Sequence, residues 1–500
     1  MLTQRDLQEF VRDKFRDYRL ILVSNREPYL HRRAGKGVEC IQPASGMATA
    51  LDPMMRSCGG TWIAHGAGDA DRQVSGPTSR VAVPPDDPKY TLRRVWLTKE
   101  QEQRYYYGLS NQGLWPLCHV VFRRPVFDPR DWAAYREVNA LFADAVIEEA
   151  GTGPAFVFIQ DYHFALLPRM LKERNPRLAV AQFWHIPWPN RETFRVFPWG
   201  QELLDGLLGN DLLGFHLNYH CTNFLETVER NLESHVDLEK WRINRQGHAT
   251  SVRPFPVSID VERHEREAVS PAVEKQMRRW RQELRLGREH LGIGIDRLDY
   301  TKGIPERLRS IDRLLEKHPD LVGRVRFLQV GVPSRVHIAE YKGLGEQVRA
   351  LVDQINWRWS AEDWTPIVLV DRHLGQTDMM ALHRLARFCF VSSLHDGMNL
   401  VAKEFVSSRL DDDGVLILSR FAGSARELTD ALLVNPYDLD ECADALYAAL
   451  QMPDEERRWR MQRMRAEVAE NTVYRWAIDI LSLLLKLDQT LPADASGAGA

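Results

Sequence analysis

The chain is 500 residues long, 44% hydrophobic and 27% charged, with a formal net charge of −3. At about 100–200 residues per domain that length holds two or three domains. The near-neutral balance argues against a nucleic-acid partner, which needs a concentrated basic surface, and the Arg-rich runs EKQMRRWRQELRLGREH and DEERRWRMQRMRAE, interrupted by acidic residues, read as solvated helix faces.

In chain order, the first segment, MLTQRDLQEFVRDKFRDYR, predicts an extra polar helix over residues 1–16 and lacks the apolar core of a signal peptide. RLILVSN then reads as a buried parallel strand ending in a loop. AFVFIQDYH, LAVAQFWHIPWP and DLLGFHL repeat that pattern between helical stretches such as DWAAYREVNALFADAVIEEA. Such alternation predicts an α/β fold with an open, doubly wound sheet and function at the carboxyl ends of its strands. The prolines of VRPFPVSIDVERHE mark a boundary after residue 256, and a second α/β series begins with LGIGIDRLDYTKG and runs through VRFLQVGVPS, PIVLVDRHLG, FCFVSSLHDG, GVLILSRFAG and ALLVNPYD. The expected domains are therefore 1–256 and 257–470, with a cleft between them for a ligand. A last helix follows over 471–487, and the small-residue tail 488–500 reads as disordered. The six cysteines (Cys40, Cys58, Cys118, Cys221, Cys389, Cys442) form no C-x-x-C pair and no zinc-like spacing with His, so free thiols in a reducing compartment are expected. No apolar run approaches the ~18 residues of a membrane span, so a soluble cytoplasmic chain is expected.

Several strand ends carry chemistry. LHDGMNLVAKEF follows a strand and opens a helix, whose unpaired first-turn amides suit an anion; its plainer reading is that Asp396 and Asn399 cap the helix and Gly397 makes the turn. In DRLDYTKGIPERL, Arg297 and Lys302 stand beside a second helix start and can bind a phosphate, unless Arg297 merely pairs with Asp299 on the surface. Together the two loops could hold a diphosphate, with Glu404 one turn on to accept hydrogen bonds from a ribose. In the first half Arg26, Asp161 and His185 each follow a strand, which places them on one sheet edge. Tyr106, Trp115 and Trp62 lie near polar loops and could face a sugar ring, although most tryptophans are core residues.

The series SNREP, GGTWIAHG, SNQGLWP, QDYH, HIPWP, DLLGFH, DRLDYTKGIPER, DGMNLVAKE and LSRFAGSARELTDALLVNPYD closely resembles the trehalose-6-phosphate synthase family of retaining glucosyltransferases, in order from about residue 20 to 485. The resemblance implies a GT-B-type fold of two Rossmann-like domains facing a cleft, with the final helix returning to the N-terminal domain. It implies that Arg297 and Lys302 bind the donor diphosphate with backbone amides near Leu400 and Val401, and that Glu404 holds the ribose. Asp396 with Gly397, Met398 and Asn399 would bind hydroxyls of the donor glucose, His185 its 6-hydroxyl side, and Gly46 would lie close to the nucleotide sugar. Arg26, Tyr106, Trp115, Asp161 and Arg335 match the acceptor pocket. The implied reaction is front-face transfer of glucose from a nucleotide diphosphate glucose, with UDP as the expected nucleotide, to glucose 6-phosphate. Glycerol 3-phosphate is the alternative acceptor. No cofactor or metal is expected, nor a nucleic acid or membrane partner; association of identical copies stays open. Three departures leave the base and the acceptor undecided: Ser45-Gly46 in place of Gly-Gly, His395 where Arg is common, and Trp188 in place of a smaller aromatic. A glycoside hydrolase using Asp161 and Asp396 would leave Arg297 and Lys302 without a purpose, and a non-catalytic relative would have lost donor-site residues that are all present.

Overall fold

The computed structural model describes residues 1–35, 37–42, 46–335, 337–361 and 363–489. The chain divides into two units, one of Leu2–Val257 together with the chain from Val473 onward, the other of Ser258–Thr472. Sequence reading places these divisions after residues 256 and 470.

The strands of the first unit are β1 (Arg19–Arg26), β2 (Leu30–Ala34), β3 (Gly37–Ile41), β4 (Thr61–His65), β5 (Arg80–Val83), β6 (Tyr90–Val95), β7 (Ala155–Gln160), β8 (Ala179–Phe183), β9 (Leu212–Phe215), β10 (His235–Asp237), β11 (Arg242–Arg245) and β12 (His248–Pro254). Among the described residues ten of them form one sheet in the order β10-β11-β12-β9-β8-β7-β1-β4-β6-β5. The run from β12 to β6 is parallel, while antiparallel strands close both edges. β2 and β3 form a separate hairpin. Continuous burial along β7 and β8 shows why these strands read as unbroken apolar runs: helices cover both faces.

The helix Gln4–Lys14 opens on a capping box between Thr3 and Asp6. It packs on the helices Gly46–Cys58 and Val473–Gln489. From the last of these, Trp476 sets its ring 5.6 Å from Phe158 of β7 and 5.2 Å from Phe183 of β8, so the end of the chain completes the core of the first unit. Tyr18 donates to Asp488 at 2.7 Å, so helix and contacts continue past residue 487. Residues 490–500 of the expected tail lie outside the described residues.

The strands of the second unit are β13 (His290–Arg297), β14 (Val325–Val332), β15 (Ile367–Val370), β16 (Phe388–Val391), β17 (Val415–Ser419) and β18 (Leu432–Val434). They form a parallel sheet in the order β15-β14-β13-β16-β17-β18. The order reverses between β13 and β16, which marks the topological switch point where open α/β sheets bind ligands. Ile293, Ile295, Leu328, Val330, Val391 and Leu418 anchor the core beneath it.

Candidate active site

β13 and β16 are neighbours, and the loops that follow them carry the charges singled out in the sequence. Arg297 is the last residue of β13. Beyond it, Asp299 caps a short turn over Tyr300–Lys302 by accepting from the Thr301 amide at 3.1 Å and its hydroxyl at 3.0 Å. Lys302 Nζ then reaches 2.5 Å from Asp396 Oδ2, across to the loop after β16. Ser393 Oγ and Asn399 Nδ2 each donate to the same carboxylate oxygen at 3.2 Å. Asp396 is therefore the hub of the turn, and the cap is Asn399, whose Oδ1 accepts from the Ala402 amide at 3.1 Å.

The helix Leu400–Ser408 starts there, with Asn399 at φ 77°. Its amides at Leu400 and Val401 open the first turn, where no intrahelical acceptor exists. A further loop pins the turn from behind: the Asp396 amide donates to Phe421 O, while Gly423 N and Ser424 N donate to the carbonyls of Asp396 and Met398. A β-carbon on Gly423 would lie 2.0 Å from Gly397 O, so the glycine of RFAGSARE is required by that close approach.

Asp299 has no exposed side chain and pairs with Arg335, whose Nη1 lies 3.1 Å from Oδ2 and 2.6 Å from Tyr341 Oη. Burial pushes the Asp299 pKa up, but Arg335, Arg297 and Lys302 outweigh it and hold it below the ordinary carboxylate value. The plainer surface-pair reading of Asp299 with Arg297 is thus replaced by a buried carboxylate surrounded by three cations. Glu404 stands one turn into the helix, half-buried, and no donor among the described residues reaches its carboxylate; burial lifts its pKa to about 7. Lys403 turns the other way, buried against Glu427 at 2.8 Å.

In the first unit β1, β7 and β8 are adjacent, and Arg26, Asp161 and His185 stand at or just past their carboxyl ends. Arg26 Nη2 donates to Tyr106 Oη at 2.9 Å. Asp161 holds φ 71°, an uncommon conformation for a residue with a side chain. Its Oδ1 accepts from the amides of Tyr162 (3.0 Å) and His185 (3.2 Å), which ties the β7 loop to the β8 loop. His185 Nε2 lies 2.9 Å from Gln160 Oε1, and burial lowers its pKa to about 3. The ring is therefore neutral near pH 7, with Nε2 donating to Gln160 and Nδ1 left as an acceptor.

Tyr106 and Trp115 lie in a helical segment, contrary to the loop setting expected for them. Glu102–Leu114 winds as a wide π-helix, with the Trp115 amide donating to Ser110 O, five residues back. This winding brings Tyr106 to Arg26 and stacks its ring on His163 at 5.7 Å, while Trp115 sits 5.9 Å from Tyr162.

Trp62 requires a correction. It is 0% exposed in the middle of β4, donates Nε1 to Ser24 Oγ at 2.8 Å and stacks on Tyr90, so its ring belongs to the core and offers no face to a sugar. Gly46 opens the helix Gly46–Cys58, and the neighbouring departure at Ser45 lies outside the described residues. Sequence reading missed Gln160, His163 and Ser392; a polar residue at or just past the end of an apolar strand was the available signal for Gln160 and Ser392.

Among the described residues no group of three or more His, Cys, Asp or Glu side chains is placed to hold a metal ion, and no helix is long and apolar enough to cross a membrane. The paired cations and helix amides can neutralise an anionic leaving group, the Glu404 carboxylate can take hydroxyl hydrogens, and the Arg26–Tyr106 pair can receive a second anion.

A family model described as glycosyltransferase family 20 matches residues 18–486. The chain is 35% identical over 478 residues to a bifunctional trehalose-6-phosphate synthase/phosphatase of Thermoproteus tenax, covering 93% of this chain but only 63% of that relative. It is 33% identical over 486 residues to an alpha,alpha-trehalose-phosphate synthase (UDP-forming) of Pichia angusta, covering 94% and 99% of the two chains. Among solved structures it is similar to the E. coli trehalose-6-phosphate enzyme bound with UDP-2-fluoro glucose, with TM-score 0.83, 31% identity and coverage of 94% and 99%. It is similar, too, to a UDP-forming synthase from Burkholderia xenovorans in complex with glucose-6-phosphate, with TM-score 0.84, 31% identity and coverage of 93% and 100%.

Proposed function

The chain belongs to glycosyltransferase family 20, and from that premise we propose that it transfers glucose from UDP-glucose to glucose 6-phosphate with retention of configuration, releasing UDP and trehalose 6-phosphate. The observation that carries the reading is the convergence of Arg297, Lys302, the Asp396 turn and Glu404 at the ends of β13 and β16. In the proposed reaction the bond from glucose C1 to the β-phosphate oxygen breaks and a bond from C1 to the acceptor oxygen forms on the same face. The departing phosphate takes the acceptor's proton, so the protein need supply no nucleophile.

Arg297, Lys302 and the amides of Leu400 and Val401 would offset the charge growing on the leaving diphosphate. Glu404 would hold the ribose. Asp396 and the backbone of Gly397, Met398 and Asn399 would orient the glucose, with the acceptor nitrogen of His185 toward its 6-hydroxyl. Arg26 and Tyr106 would bind the acceptor phosphate, and Asp161 and Trp115 its sugar. Arg335 would also bind the acceptor phosphate, which would require it to share its guanidinium with Asp299. The reading uses no metal and needs no second copy of the chain. All six cysteines are free, which supports a reducing compartment such as the cytoplasm.

The test is an assay of purified protein with UDP-, GDP- and ADP-glucose against glucose 6-phosphate, glycerol 3-phosphate and glucose. It reads nucleotide release together with the configuration of the glycoside. The expected outcome is UDP release with an α,α-linked phosphorylated disaccharide. Preference for glycerol 3-phosphate would move the acceptor assignment, and inversion at C1 would overturn the mechanism.

A further inference from the structure

Arg307 is a cation placed where helix electrostatics disfavour one. It lies in the first turn of the helix Ile304–Lys317, near the positive end of the dipole, and it is 0% exposed. A buried guanidinium must have its donors satisfied, and here they reach three neighbouring strands. Nη2 donates to Asp296 of β13 at 2.6 Å, Nη1 to Gln329 of β14 at 3.1 Å, and Nε to Ser392, just past β16, at 3.0 Å. β13 makes room for it: a β-carbon at Gly294 would stand 2.4 Å from Arg307 Nη1.

Ser392 relays the contact. Its hydroxyl, fixed as an acceptor for Arg307, is shared as a donor between the carbonyls of Lys302 (3.0 Å) and Gly303 (2.9 Å). The two loops are further seamed by the Leu394 amide on Thr301 O at 2.7 Å. Gly303 holds φ +61°, and a β-carbon there would lie 2.2 Å from Ser392 O, so the loops touch backbone to backbone. Lys302 and Asp396 belong to these two loops.

We infer that Arg307 and Ser392 are positioning residues for diphosphate binding, setting the Lys302 loop against the Asp396 loop through the Ser392 hydroxyl. The inference rests on the donor-site reading given above. In a site that works by electrostatic placement, a displacement of about 1 Å costs on the order of a hundredfold, so a residue that fixes two backbones acts on affinity without meeting the ligand.

The experiment is titration of UDP into the full-length protein by calorimetry, with steady-state KM for both substrates, in wild type, Ser392→Ala and Arg307→Lys. Ser392→Ala removes one oxygen, and Arg307→Lys keeps the charge beside Asp296 while losing the planar fork. Expected are a roughly tenfold or greater weakening of UDP binding and a matching rise in the donor KM in both variants. The acceptor KM should stay within about twofold, and far-UV circular dichroism should be unaltered. A role confined to folding would lower the melting temperature and the active fraction but leave UDP affinity and donor KM unchanged; that result overturns the inference while leaving the donor site standing. Failure of wild type to bind UDP would overturn both.

Discussion

If Glu404 holds the ribose as proposed, its half-buried carboxylate should give a donor affinity that depends on pH with a predictable sign. Its pKa is lifted to about 7 by burial alone. About nine-tenths of it is therefore ionised at pH 8, roughly half at pH 7 and about one-tenth at pH 6. Ribose hydroxyls would donate to the ionised form, so UDP-glucose binding should favour it, lower its pKa and expel a proton. The donor KM should rise roughly tenfold between pH 8 and pH 6 at saturating acceptor. Calorimetric titration at pH 7 in buffers of different ionisation enthalpy should show about half a proton released. Glu404→Gln keeps one acceptor oxygen but loses the charge. Its donor KM at pH 8 should be about 10–100-fold higher, following the 1.5–3 kcal/mol typical of charged hydrogen bonds, and its pH slope should vanish. The control matters because Glu27, lifted to about 8, titrates nearby in pH. A flat donor KM in wild type, or an equal slope in Glu404→Gln, would refute the assignment of the carboxylate to the ribose.

Arg297→Ala should lower kcat/KM by at least about 10²-fold, as loss of one placed electrostatic contact does, and EDTA should leave the wild-type rate unchanged; a strict metal requirement would contradict the metal-free mechanism. Glucose should be a far poorer acceptor than glucose 6-phosphate, and Arg26→Ala should narrow that gap by about 10–100-fold in kcat/KM if the arginine receives the phosphate; Arg335→Ala, assayed alongside, tests the second phosphate role. Arg94 is 0% exposed and bonds Glu27 Oε2 at 2.7 Å, Asp71 Oδ1 at 3.0 Å and Ser75 Oγ at 2.6 Å. Arg94→Met should therefore cost about 3–5 kcal/mol in urea unfolding, because the buried Glu27–Asp71 acid pair loses its cation.

The parallel sheets and the polar residues at their carboxyl ends were legible because a strand covered on both faces reads as an unbroken apolar run that stops at a polar residue. Arg26, Asp161, His185 and Arg297 sit at or within two residues of such strand ends, and Asp396 lies in the loop that follows one. What the pattern hides is direction. TWIAH is buried on both faces apart from its first residue, so nothing local distinguishes a Trp62 that faces a pocket from one that fills the core. YYYGLSNQGLWP contains two glycines and polar residues that suggest a loop. It winds as a π-helix in which Gly108 presses against Asp131, where a β-carbon would stand 2.3 Å from Oδ2. The partners of Arg335 and Arg307 were opaque for another reason: they lie many residues away, and sequence spacing carries no trace of three strands meeting at one side chain.

The return of the last helix to the first sheet has a consequence for biosynthesis. Trp476 covers Phe158 and Phe183, so a nascent chain that has completed β1 to β12 still exposes that apolar face. The ribosome must first make the whole of Ser258–Thr472, which at ~5–20 residues per second occupies on the order of 10–40 s. During that interval the second unit is born next to an unfinished neighbour. Emergence of Val473–Gln489, rather than of the first half of the chain, sets the moment at which the first unit can close.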